Sequence, residues 1–193
     1  MMHAPVLHGV AIAMHFFLLI AECADSGPGN LQHEVPDFGE VVALFKDSIA
    51  LMDIDRDNIL DCLTARRIQY DPQEWSATYL WNVAGSSGER IHFPVYLSAG
   101  DTPDTFNITT SIKPGQFFTG HAYYFDHKTC TVINMPHIGD QCTLWVTKES
   151  KDSIPDECIE QFAKICGNGI TLHDEDICKN VDKAAFPDSP YDA

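Results

Sequence analysis

The stretch Trp75-Ser76-Ala77-Thr78-Tyr79-Leu80-Trp81 decides the fold class. Trp75, Ala77, Tyr79 and Trp81 recur at every second position. That is the period of an extended strand, in which alternate side chains share a face. Ile91-His92-Phe93-Pro94-Val95-Tyr96-Leu97 repeats the pattern, with Pro94 implying an edge or a bulge. Phe106-Asn107-Ile108-Thr109-Thr110-Ser111-Ile112 repeats it again. Turn-forming clusters at Gly85–Gly88, Ser98–Pro103, Lys113–Gly115, Asp126–Lys128 and Pro136–Asp140 separate these runs from their neighbours. Ile49–Ile54, Cys62–Tyr70, Gly120–Phe125, Thr129–Met135 and Gln141–Thr147 bring the count to eight strands. Short strands at this spacing predict an all-β antiparallel domain, an up-and-down barrel or a sandwich.

Two helices flank the strands. Asp37 and Glu40 have capping-box spacing, and Val41, Val42, Leu44 and Phe45 follow on one face, predicting a helix over Phe38–Asp47. Ser153 and Pro155 start a second helix. Cys158, Phe162, Ile165 and Cys166 share its face, and Gly167 ends it. There is no internal repeat, and 193 residues suffice for one domain with a sizeable core.

The N-terminus sets the compartment. Val10–Ala21 is almost wholly apolar, broken by His15, and too short for the roughly 20 residues that a membrane span needs. Ala21 and Cys23 supply small residues for cleavage, so Met1–Ala24 reads as a signal peptide, cut after Cys23 or after Ala24. The remaining 25–193 is one domain with its core over 37–178. Cleavage removes Cys23 and leaves six cysteines: Cys62, Cys130, Cys142, Cys158, Cys166 and Cys178. In an oxidising compartment they imply three disulfides, with 15 pairings open. Asn107-Ile108-Thr109 is an N-glycosylation sequon, in keeping with a secreted chain.

The charge is acidic, 28 Asp and Glu against 12 Lys and Arg. Such a field repels nucleic acid and anionic membranes and weakly favours cationic small molecules. Arg66-Arg67 is the one basic doublet. No metal-ligand spacing, nucleophile elbow or phosphate loop is present, so neither an enzyme nor a bound cofactor or metal is expected. Asp53-Ile54-Asp55-Arg56-Asp57-Asn58 opens like a calcium-binding EF-hand loop. Its twelfth position is Thr64, where a bidentate Glu is needed, so it reads as an acidic solvated loop at the barrel mouth.

The C-terminal half is more specific. Tyr124, Cys130-Thr131-Val132, Cys142-Thr143-Leu144-Trp145-Val146, Pro155-Asp156-Glu157-Cys158, Phe162, Cys166 and Cys178 closely resemble the secreted salivary lipocalins of ticks, the histamine-binding-protein group. The resemblance covers about Asp37–Cys178, and the lipocalin Gly-x-Trp signature is missing. It implies an eight-stranded up-and-down lipocalin-like barrel, with a short N-terminal helix and a C-terminal helix packed outside. It implies the pairs Cys62–Cys178 and Cys130–Cys158, which leaves Cys142 with Cys166. If the C-terminal helix packs outside, Cys142, Leu144 and Val146 face it, and Thr143 and Trp145 point inward. A glycan on Asn107 likewise turns Phe106, Ile108 and Ile112 inward.

The expected ligand-contacting set is Asp53, Trp75, Tyr79, Trp81, Phe93, Phe106, His121, Tyr123, Thr143 and Trp145. The same aromatics could equally fill the barrel as core. Amine-binding members of the family carry acids where this chain has Thr131 and Thr143, and His121 stands at a third such position. Asp53 alone matches an acid used for amines. By resemblance, the chain is secreted in saliva, monomeric, and sequesters a small host mediator. That mediator is an eicosanoid or fatty-acid-like lipid or a biogenic amine such as histamine or serotonin. The alternative is a protein-binding modulator of immunity or haemostasis acting through the outer surface. Mass mapping of the secreted protein is expected to find an N-terminus at Ala24 or Asp25 and no free thiol.

Overall fold

The computed structural model describes residues 34–55, 60–84, 90–136, 141–174, 176 and 178–179. The expected signal segment Met1–Ala24 lies outside them, as do Asp57 and Asn58. The chain opens with α1 (Phe38–Leu44), then runs through β1 (Asp47–Asp53), β2 (Thr64–Asp71), β3 (Ser76–Ala84), β4 (Arg90–Ala99), β5 (Thr105–Thr110), β6 (Phe118–Phe125), β7 (Cys130–Met135) and β8 (Gln141–Thr147). A 3-10 turn, α2 (Asp156–Cys166) and the two-residue β9 (Ile170–Thr171) complete it. Each strand from β2 to β8 pairs with the next, β8 pairs with β1, and β1 pairs back onto β2. All the pairings are antiparallel, so the eight strands close into the barrel expected from the alternating runs.

Closure sorts side chains into two apolar layers. Inside lie Tyr79, Trp81, Phe93, Phe106, Ile133 and Trp145, among others. Outside, Ile49, Tyr124, Val132, Leu144 and Val146 form a second cluster with Cys158 and Phe162 of α2. Alternation along β8 shows the sorting: Cys142, Leu144 and Val146 face α2, and Trp145 faces the lumen. The apolar face of α2 drives its docking, and Phe162 is fully buried there. Cys158 joins Cys130 on β7, and Cys166 joins Cys142 on β8. Eight residues of helix separate the two half-cystines by about two turns on one face. The third pair, Cys62–Cys178, spans 116 residues of sequence. A loop of that length is worth on the order of 4–5 kcal/mol by the chain-entropy account.

Local chemistry sets the boundaries. Asp37 caps α1 by accepting from Gly39 N at 2.8 Å. The helix ends at Leu44, three residues before the expected Asp47, because the chain must already turn into β1. Leu44 is exposed, so the buried face is Phe38, Val41, Val42 and Phe45. Strand β5 stops at Thr110, leaving Ile112 exposed and not inside as expected. Strand β9 was not expected; it adds to β1 at Met52 and Asp53.

The turn between β6 and β7 is built on Asp126. Its Oδ1 accepts from the backbone N–H of Lys128, Thr129 and Cys130 at 2.9, 2.7 and 2.9 Å. Its other oxygen accepts from the Thr129 hydroxyl. Partial burial pushes this carboxyl up, but the hydrogen bonds outweigh burial and hold it below the usual range. A depressed folded value means that the carboxylate's contribution is complete above its unfolded value, about pH 3.9, and is lost as pH falls through the folded value. Asp126→Asn is therefore expected to lower stability at neutral pH and to flatten its loss below about pH 4, read by urea unfolding at stepped pH.

Candidate functional site

The candidate site is the lumen end beneath α1. Phe38, Val41, Val42 and Phe45 form one wall, and Tyr79, Trp81, Phe106, Ile133, Met135 and Trp145 form much of the rest. The rings interlock. Phe38 stacks on Phe106 with centroids 3.9 Å apart. Trp81 lies 5.7 Å from Trp145 and 5.9 Å from Phe93. Phe106 fits because Gly120 faces it across β5 and β6; a Cβ there would sit 2.2 Å from the ring. The free cavity is about 50 Å³, well below the roughly 300 Å³ at which small-molecule sites begin.

Polar groups on this wall are few. Ser48 and Thr131 supply the lining hydroxyls besides the Tyr79 phenol, and Thr131 donates to Tyr124 O at 2.8 Å. The Tyr79 hydroxyl donates to Phe45 O at 2.7 Å, tying the end of α1 to β3. Burial pushes this phenol well above its ordinary range, with the Arg67 guanidinium opposing, so it stays a neutral donor. Arg67 donates to Val42 O and to Ala43 O, placing a cation at the helix's carbonyl end. At the other end Phe38 N donates to Pro103 O at 2.8 Å. Glu40 meets His127 Nδ1 at 3.1 Å. Helix α1 is thus a stopper of seven residues, held by a handful of polar contacts and four apolar side chains.

The family model described as tick histamine binding protein matches residues 55–180, more than half of the chain. The chain belongs to the tick histamine-binding protein family. Among solved structures, a serotonin complex of AM182 is similar at 15% identity, covering 72% of this chain and 89% of that one, with a TM-score of 0.55. Japanin from Rhipicephalus appendiculatus, bound to cholesterol, is similar at 14% identity, covering 68% and 95%, with a TM-score of 0.51. Both likenesses are in the fold. The curated protein sequences contain no match to the chain.

The lumen of this histamine-binding-family member collects Tyr79, Trp81, Phe93, Phe106 and Trp145 of the expected set. Thr143 is fully buried on the inward face of β8, but its hydroxyl serves the protein itself. It accepts from Trp145 Nε1 at 2.8 Å and donates to Ile133 O at 3.2 Å, fixing the indole. Asp53 pairs with Thr143 across β1 and β8. It is fully buried, not in a solvated loop as expected, and its Oδ1 accepts from Ile54 N at 2.7 Å. Neither Asp53 nor Thr143 lines the cavity.

Three expected residues lie elsewhere. Trp75 precedes β3 in a left-handed turn with φ 48°, and its ring lies over Gly39 of α1 instead of inside. That approach needs a glycine, since a Cβ on residue 39 would sit 2.1 Å from the indole. Tyr123 follows the inward Ala122 and so faces solvent, and the bulge after Ala122 then turns Tyr124 outward as well. His121 stacks on Tyr123 outside the barrel, within 4.0 Å of Asp104. The residues missed are the α1 wall together with Ser48, Ala65, Leu97, Thr131, Ile133 and Met135. The spacing 38, 41, 42, 45 is helical and was legible for α1, and parity from Cys130 was legible for β7.

Tyr79→Phe is expected to cost about 1 kcal/mol in urea unfolding by removing the bond to Phe45 O. The same variant should expose α1 backbone amides to faster hydrogen exchange without altering exchange in β7 and β8.

Proposed function

We infer that this chain is a secreted, monomeric lipocalin that sequesters a small apolar host mediator of the eicosanoid or fatty-acid kind. The observation that carries the choice of ligand is the wall. Among the described residues no carboxylate lines the cavity, and its surface is aromatic and aliphatic with few hydroxyls. A cationic amine such as histamine or serotonin would enter without a counter-ion, which is costly in an apolar site. Cation–π contact with Trp81 and Trp145 offsets only part of that. The japanin–cholesterol structure supports the reading, since a protein of similar fold is bound to an apolar ligand. The AM182–serotonin structure supports the amine as the competing ligand class.

Sequestration is burial alone, and no bond is made or broken. The free volume is too small for a lipid, so the ligand's apolar surface replaces that of Phe38, Val41, Val42 and Phe45 as α1 lifts. Area exchanged for area leaves the hydrophobic term nearly balanced, at about 25 cal/mol per Å², and the ligand's fit decides. The filled lumen also favours a second reading, a protein-binding modulator of immunity or haemostasis that uses the outer surface. Native mass spectrometry of the secreted protein against arachidonate, a leukotriene, histamine and serotonin separates them. One lipid per monomer at micromolar concentration, with no amine bound, is expected. Amine binding without lipid binding overturns the lipid assignment, and an Asp53→Asn variant then tests the buried acid that ends β1. No binding of any of the four overturns the carrier reading in favour of the outer surface.

A further inference from the structure

The outer face of β2 to β5 carries an open groove of about 390 Å³, within the range of about 300–1,000 Å³ typical of clefts that hold small molecules. Its floor is a cross-strand row in which Gln69 faces Thr78, Thr78 faces Tyr96, and Tyr96 faces Thr109. Phe117, 77% exposed, and Tyr96, 44% exposed, border it. Two aromatic rings left in water beside one groove are an unusual feature of an outer face. The strands around β7 and β8 have their own outer apolar side chains covered by α2; this face has no such cover among the described residues.

The sequon stands in the groove's wall. Asn107 and Thr109 both line it, on the same strand and the same face. The Asn107 amide is already oriented. Its Nδ2 donates one hydrogen to Ala99 O at 3.0 Å, and its Oδ1 accepts from the Thr119 hydroxyl at 3.4 Å. Glycosylation replaces one of the two amide hydrogens and leaves the Oδ1 acceptor and one N–H in place.

We propose that this groove is the seat of an N-linked glycan on Asn107, whose first N-acetylglucosamine lays its C–H face on Phe117 and Tyr96. The proposal rests on the chain being secreted. In the modification, Asn107 Nδ2 forms a bond to C1 of the sugar of a lipid-pyrophosphate-linked oligosaccharide. The C1–O bond breaks, the pyrophosphate leaves with its electron pair, and the amide loses one proton. A sugar ring has one face of C–H groups and a rim of hydroxyls. The C–H face suits an aromatic ring, and the rim suits Gln69, Thr78 and Ser98 on the same groove. The neighbouring outer faces are thereby covered by different means, one by a stapled helix and one by carbohydrate.

The test uses the full chain expressed in insect cells. Peptide mass mapping of the secreted protein should place a glycan on Asn107. Trimming to a single N-acetylglucosamine should leave Tm about 2–4 °C above that of the Asn107→Gln protein, the size expected of one aromatic contact in a domain of this length. Phe117→Ala, at an exposed position that does not threaten folding, should abolish that gain. A secreted protein with Asn107 unmodified overturns the proposal and leaves the carrier reading untouched. An occupied Asn107 whose sugar stabilises the Phe117→Ala and Tyr96→Ala proteins as much as the parent overturns the seat alone. Failure of the chain to be secreted overturns the reading beneath both.

Discussion

Pairing of β1 with β8 on one edge and β2 on the other turns a sheet into a tube, and the placement of nearly every other side chain follows. The register aligns Ala50 with Trp145, and Asp53 with Thr143. A bulge between Ala50 and Met52 lets one strand serve both neighbours. Once the tube is closed, a strand residue faces either the lumen or the surface, and a slip of one residue would exchange the two sets. The disulfides from α2 to β7 and β8 hold that parity covalently, because Cys130 and Cys142 can reach a helix only from the outer face.

Inside, the parity produces a lumen that is nearly full. Trp81, Trp145, Phe93 and Phe106 occupy most of the width that a ligand would need, and α1 adds four apolar side chains from the end. The polar groups that look available by residue type are engaged in holding the wall. Thr143 fixes an indole, Thr131 bonds a backbone carbonyl, and Tyr79 fastens the helix. On the proposed carrier reading, acceptance of a guest depends on how easily α1 gives way, more than on any empty space.

Much of this was legible in the sequence. Alternation over Trp75–Trp81 and its counterparts gave the strands, and the cysteine pattern gave the family and the side on which α2 docks. Thr143 and Trp145 came out inward once the resemblance put α2 outside and parity was counted from Cys142. Parity failed where the backbone departs from a regular strand. The bulge at Ala122–Tyr124 puts Tyr124 outward next to the already outward Tyr123, and a left-handed turn takes Trp75 out of register before β3 begins. His121 was placed by alignment to an acid, a guide to homologous position that carries no information on which way the side chain turns here. The burial of Asp53 was hidden as well, since it depends on β9 and the chain after α2 returning to cover the end of β1, a long-range contact without a local pattern.

The Cys62–Cys178 bond encloses β2 through β9, its ends 116 positions apart in the sequence. Every connection from β2 to β8 thus lies inside one covalent ring. A protease that cuts any of these loops opens the ring and releases nothing: the two pieces stay joined through sulfur, and the strands stay paired. Damage of this kind is survivable, and loss of the fold requires a second event, either reduction or a second cut.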